Sequence, residues 1–132
     1  MTALHHIELW TADLATAEPA WDWLLTTLGW VRDAVDPGWP HGRIWRHGSG
    51  VYLVLEASTA VVGDRHDRLA PGLNHLALRC PDRDTLDAAR AEADRHGWRE
   101  LFADRYPHAG GADHTALYLE NEEGFEVELV VA

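Results

Sequence analysis

The landmarks in the first half of this chain return in the same order in the second, and that repetition restricts the folds open to it. His6 opens an alternating segment, His6-Ile7-Glu8-Leu9-Trp10, and His75 opens another, His75-Leu76-Ala77-Leu78-Arg79. Each leads into a helical stretch that ends on a Gly-Trp junction, Leu28-Gly29-Trp30 in one half and His96-Gly97-Trp98 in the other. A glutamate follows in a later alternating run: Glu56 closes Val51-Tyr52-Leu53-Val54-Leu55-Glu56, and Glu128 sits in Phe125-Glu126-Val127-Glu128-Leu129-Val130. Matching landmarks at nearly matching intervals indicate an internal duplication, so the fold is built from two copies of one unit.

Periodicity gives the content of that unit. Leu4 to Trp10 alternates and reads as a strand. Asp13-Leu14-Ala15-Thr16 leads into a helix with Thr16 as its expected N-cap and Pro19 in its first turn, where a missing N–H breaks no helical bond. Trp21, Leu24, Leu25 and Leu28 supply the apolar stripe, and Gly29 is a natural residue just past the helix end. Trp30-Val31-Arg32 starts a strand; Asp36-Pro37-Gly38 and His47-Gly48-Ser49-Gly50 are turns around a strand at Arg43–Arg46 and before one at Val51–Glu56. The order is β-α-β-β-β. In the second half, strand His75–Arg79 precedes a helix capped by Asp84, with Leu86, Ala89 and Ala93 on its apolar face and Gly97 at its end. Strands follow Gly97, at about His114–Leu119 and at Phe125–Val131. The expected class is α+β: one domain over 1–132, with a module at about 1–58, a polar linker at about 59–72 and a module at about 73–132.

Strand alternation sorts the side chains by face. Ile7 and Leu9 share one face, and His6, Glu8 and Trp10 the other; Leu53 and Leu55 oppose Tyr52, Val54 and Glu56. Leu76 and Leu78 oppose His75, Ala77 and Arg79, and Val127 and Leu129 oppose Glu126 and Glu128. His6, Glu56, His75 and Glu128 therefore all lie on the mixed faces, away from the helices. Imidazole and carboxylate donors without sulfur suit a divalent ion such as Mn, Fe, Co, Ni or Zn in a site with open positions. Glu126 shares the face of Glu128 and is the second choice there. His5 is expected on the helix side, which leaves His6 as the donor.

The segments His6-Ile7-Glu8-Leu9-Trp10-Thr11-Ala12-Asp13-Leu14, Leu28-Gly29-Trp30, Asn74-His75-Leu76-Ala77-Leu78 and Glu122-Glu123-Gly124-Phe125-Glu126-Val127-Glu128-Leu129 resemble the vicinal oxygen chelate superfamily. That group includes glyoxalase I, bleomycin- and fosfomycin-resistance proteins and extradiol dioxygenases. The resemblance covers nearly the whole chain. It implies paired modules whose strands form a curled mixed sheet around a cavity, with His6, Glu56, His75 and Glu128 as the metal positions of glyoxalase-like members and Glu128 preferred to Glu126. It also implies a homodimer, with a site within one chain or shared by two. Asn121-Glu122-Glu123-Gly124 departs from the usual Asp-Pro-Asp-Gly turn, and Ala20-Trp21 from a Phe-Tyr pair.

The activity so implied is that of a metal-dependent lyase or isomerase. It abstracts a proton beside a metal-bound carbonyl of a small oxygenated molecule, with Glu56 and Glu128 as catalytic carboxylates. The alternative is a protein that sequesters an aromatic or cationic antibiotic. An Fe(II) dioxygenase is third, because those relatives use two histidines and one carboxylate, and Glu56 would be one too many. Trp10, Tyr52, Arg79, His114 and Tyr118 are expected substrate contacts. Among the seven tryptophans, Trp21 belongs in the core, Trp30 and Trp98 at equivalent junctions, and Trp39 and Trp45 join Trp10 as candidates to line a cavity. The loop Asp104–Gly111 has the length of a lid.

Composition narrows the partners. The formal charge is −11, with arginine as the only strong base, so no basic surface is available for nucleic acid and glutathione is an unfavourable co-substrate. No apolar run reaches the roughly 20 residues of a membrane span, and no signal segment opens the chain, which gives the cytoplasm as the expected compartment. A lone Cys80 excludes an internal disulfide and a thiolate-rich zinc site.

Overall fold

The computed structural model describes residues 2–132, which fall into two compact units that divide between Arg65 and His66. Each unit is a four-stranded mixed sheet with one α-helix. In the first, β1 (His6–Trp10), α1 (Leu14–Thr27), β2 (Val31–Arg32), β3 (Gly42–Arg46) and β4 (Tyr52–Glu56) give the strand order β1-β4-β3-β2. In the second, β5 (Leu76–Cys80), α2 (Arg83–Glu92), β6 (Trp98–Leu101), β7 (Thr115–Asn121) and β8 (Glu126–Val131) give β5-β8-β7-β6. In both sheets the first and last strands of the unit pair in parallel at the centre-to-edge position, and the remaining pairs are antiparallel. The parallel pairing is open to these strands because a helix-containing connection separates them in sequence.

The apolar faces bury as alternation requires. Leu9, Trp21, Leu24, Leu25, Leu53 and Leu55 form the core of the first unit; Leu78, Leu86, Ala89, Trp98, Leu117, Val127 and Leu129 form that of the second. Trp45 joins the first core and does not line a cavity. It pairs with Leu53, a helix-facing residue, is completely buried, and donates its indole N–H to Asp22 Oδ1 on α1 at 2.8 Å.

The helix starts differ from the sequence expectation in both units for one reason. The N-cap of α1 is Asp13, whose carboxylate accepts from the Thr16 N–H, and that of α2 is Asp82, which accepts from the Thr85 N–H. Thr16 and Asp84 are therefore residues of the first turn. Asp-x-x-Thr recurs at both starts, and an aspartate there offers a charged acceptor to the exposed N–H groups that a threonine matches less well. The earlier start moves Pro19 from the first turn into the helix, where its ring removes one backbone bond. Gly29 and Gly97 close the helical segments with positive φ (89° and 86°), so the Gly-Trp junctions are equivalent in backbone as well as in sequence.

Candidate metal centre

Strand register shows which residues of the two units are true counterparts. In the first sheet His6 pairs with Tyr52, Tyr52 with Arg46, and Arg46 with Val31. In the second, His75 stands one step before the Leu76–Val127 pair and so opposite Glu126, which pairs with Glu120, which pairs with Arg99. These two rows are equivalent, because they bring Trp30 and Trp98 into correspondence, one residue before Val31 and Arg99. The next same-face row holds Glu8, Val54 and Ile44 in the first unit, and Ala77, Glu128 and Tyr118 in the second. The counterpart of Glu128 is therefore Val54, an apolar residue only 5% exposed. Glu56 lies one row further, opposite Trp10, about 13 Å along the strands from the His6 row at a rise of about 3.3 Å per residue.

In the second unit the expected residues converge on Glu128, which is 6% exposed. His75 Nε2 lies 3.2 Å from Glu128 Oε1, and His114 Nε2 lies 2.5 Å from Oε2. The Tyr118 hydroxyl also hydrogen-bonds Glu128; burial raises its pKa, and the neighbouring carboxylate adds to the rise. His114 precedes β7, and Gly110 is packed so closely on it that a Cβ there would stand 2.6 Å from His114 Cδ2 and from the Tyr118 hydroxyl. The loop before β7 thus packs closely against both side chains that meet the carboxylate. Arg79, two residues past Ala77, is exposed and outside this cluster.

Glu126 is committed elsewhere. Arg68, from the segment the sequence marks only as linker, places Nη1 3.0 Å from Glu126 Oε1, and Arg99 Nη2 lies 2.6 Å from Glu120 Oε2. Burial pushes the Glu126 carboxyl upward, and the Arg68 guanidinium opposes that. Sequence reasoning missed Arg68 and Glu120; a buried glutamate on each of two paired strands is the signal that a cation must cover them.

The first unit arranges its polar face differently. His6 stacks on Tyr52 with ring centroids 4.8 Å apart, and the Arg46 guanidinium lies over the Tyr52 ring, 4.9 Å from its centroid. His5 is not on the helix side: its ring meets Tyr52 edge-on at 5.5 Å, and its Nδ1 is 2.8 Å from His6 Nδ1. It precedes β1, so strand alternation does not govern it. Trp10 is 41% exposed and donates to Glu8 Oε2 at 2.6 Å. Glu56 accepts from Trp39 Nε1 at 3.0 Å, and the Trp39 ring lies on Gly42.

Among the described residues no three His, Cys, Asp or Glu side chains surround a common point that would hold an ion. The donor pair His75 Nε2 and Glu128 Oε1 nevertheless fits one. With metal–ligand bonds of about 2.1 Å, two adjacent ligands of an octahedron stand about 3 Å apart. The pair's 3.2 Å separation is of that size.

A family model described as Glyoxalase/Bleomycin resistance protein/Dioxygenase superfamily matches residues 5–118. The chain is 32% identical over 127 residues to the uncharacterised protein YqjT of Bacillus subtilis (strain 168), covering 96% of this chain and 97% of that one. It is similar to the crystal structure of a candidate glyoxalase from Bacillus halodurans, at TM-score 0.88 and 32% identity, over 100% of this chain and 97% of the other. At the level of fold alone it is similar to a mutant fosfomycin resistance protein, FosX, from Listeria monocytogenes, solved with Mn(II) and a dihydroxypropylphosphonic acid. There the TM-score is 0.62 with 12% identity, over 100% and 91% of the two chains.

Proposed function

The chain belongs to the glyoxalase/bleomycin resistance protein/dioxygenase superfamily, and from that premise we propose that it is a divalent-metal-dependent enzyme acting on a small oxygenated molecule. One observation carries the reading: a buried glutamate and a histidine of the second unit face each other across 3.2 Å with the donor chemistry of a borderline divalent ion. His75 and Glu128 would hold the ion, and the resemblance adds His6. The Mn(II) in the FosX structure is consistent with such chemistry in this fold. Bound there, the ion supplies Lewis acidity to the oxygens of the substrate.

The chain's own groups divide the remaining work. Glu56 lies one row beyond Val54, the counterpart of Glu128, and is held by the Trp39 indole, which suits a carboxylate that takes a proton beside a carbonyl rather than one that binds metal. Trp10, with an exposed ring, and Tyr52 are substrate contacts in this reading, and Arg79 offers an exposed cation to an anionic group. His114 and Tyr118 serve Glu128 instead. The active form is a homodimer, which light scattering of the purified protein checks.

A second reading draws on Val54. With the apolar Val54 as the first unit's counterpart of Glu128, the donors that the resemblance implies reduce to His6, His75 and Glu128, the two-histidine, one-carboxylate set of Fe(II) oxygenases. Metal analysis after dialysis against Mn, Co, Ni, Zn and anaerobic Fe(II) tests both. Stoichiometric metal that is lost in His75→Ala supports an enzyme, and oxygen uptake with Fe(II) selects the oxygenase. Protein that takes up no ion overturns both and leaves sequestration of an aromatic cation, read by tryptophan quenching.

A further inference from the structure

The polar contacts around Glu128 and His75 have a common logic. The Asn74 amide donates through Nδ2 to the Arg68 carbonyl at 3.0 Å. A carbonyl only accepts, so this bond orients the amide, and Asn74 Oδ1 is the atom that meets His75 Nδ1 at 2.7 Å. An amide oxygen accepts, so the proton of the neutral imidazole sits on His75 Nδ1, and Nε2 carries the lone pair. That lone pair faces Glu128 Oε1 at 3.2 Å, a second acceptor. The other carboxylate oxygen, Oε2, receives His114 Nε2 at 2.5 Å. Two acceptors are thus left opposed, and a cation between them satisfies both.

We propose that Asn74 and His114 are positioning residues that commit the outer nitrogen of His75 and the outer oxygen of Glu128, so that a divalent cation meets one nitrogen and one oxygen. The inference rests on the metal reading above and adds to it the residues that prepare the donors. At the equivalent place in the first unit His5 precedes His6 as Asn74 precedes His75, and its Nδ1 engages His6 Nδ1 at 2.8 Å, so the same ring nitrogen is occupied there. His5 therefore matters for how it holds His6, not as a donor itself.

Outer-sphere partners of this kind typically set metal affinity within one to two orders of magnitude. The test uses the full chain and Co(II), titrated calorimetrically. Asn74→Leu is expected to weaken Co(II) by ten- to a hundredfold, and Asn74→Asp, which keeps an acceptor for Nδ1 but not the donor to Arg68, to stay near wild type. His114→Phe is expected to weaken Co(II) to a similar degree. A second readout needs no metal: nitrogen-15 spectra of the metal-free protein are expected to show the neutral His75 ring protonated at Nδ1. Asn74→Leu should shift that tautomer toward Nε2. Wild-type Co(II) affinity in both Asn74→Leu and His114→Phe, or an Nε2-protonated His75 in the wild type, overturns the proposal. If the wild type binds no Co(II), the metal reading fails and the tautomer alone decides this one.

Discussion

Replacing Gly42 by alanine probes how Glu56 is held. An ideal Cβ on Gly42 falls 2.1 Å from Trp39 Cε2 and Cζ2, where carbon atoms ordinarily approach to about 3.5–4.0 Å. The indole must withdraw by about 1.5 Å, and neither the backbone of β3 nor a ring offers a cheaper adjustment. Withdrawal breaks the 3.0 Å bond from Trp39 Nε1–H to Glu56 Oε1, about 1.5–3 kcal/mol for a charged acceptor. Lifting one ring face from the backbone re-exposes roughly 50 Å² of apolar surface, about 1 kcal/mol. Alanine returns about 0.5–1 kcal/mol through its lower strand entropy. The net is a loss of about 1.5–3.5 kcal/mol, which lowers the urea midpoint by about 1–2 M for a domain of this size. In a Trp39→Ala background the clash is gone, and Gly42→Ala should be neutral or stabilising. Unchanged stability of Gly42→Ala, or the same loss with and without the indole, refutes the reasoning.

Other consequences are more local. Trp45→Phe removes the N–H bonded to Asp22 in a fully buried position and should cost about 1–3 kcal/mol by chemical denaturation. Asp13→Ala removes the α1 cap and should cost about 1 kcal/mol, with Asp13→Asn recovering most of it in the same assay. Tyr106 is held above its ordinary range, at about 12, by burial and then by its bond to Asp87. A raised folded pKa means its contribution is complete below the unfolded value of about 10 and lost as pH rises toward about 12. Thermal unfolding across that window should show a falling stability that is shallower in Tyr106→Phe. The chain has no lysine to obscure the effect, and tyrosinate absorbance follows the titration directly.

Much of this architecture is legible because burial follows period two in strands. Leu9, Leu53, Leu78 and Leu129 are buried where alternation puts them, and the Gly-Trp junctions mark equivalent turns. The helix starts were legible too, in the repeated Asp-x-x-Thr, but only once the two halves are aligned on each other. Alignment by spacing alone pairs Glu56 with Glu128. The connections between the second and third strands of the two units differ in length, Arg32 to Gly42 against Leu101 to Thr115, and a two-residue offset preserves the face of a strand residue while moving it one row. Only the hydrogen-bonded register reveals Val54 as the counterpart of Glu128. The contacts of His114 and Arg68 come from loops, whose paths no periodicity encodes. Trp45 is a case where composition misled: an aromatic residue suggests a cavity, but its pairing partner Leu53 assigns it to the core.

The claim that Glu128, and not Glu56, supplies the carboxylate to a divalent ion is tested most directly by titrating Co(II) into Glu128→Gln and Glu56→Gln side by side. The account predicts that Glu128→Gln abolishes stoichiometric binding while Glu56→Gln binds Co(II) like the wild type. Abolition in Glu56→Gln, or full binding in Glu128→Gln, contradicts it.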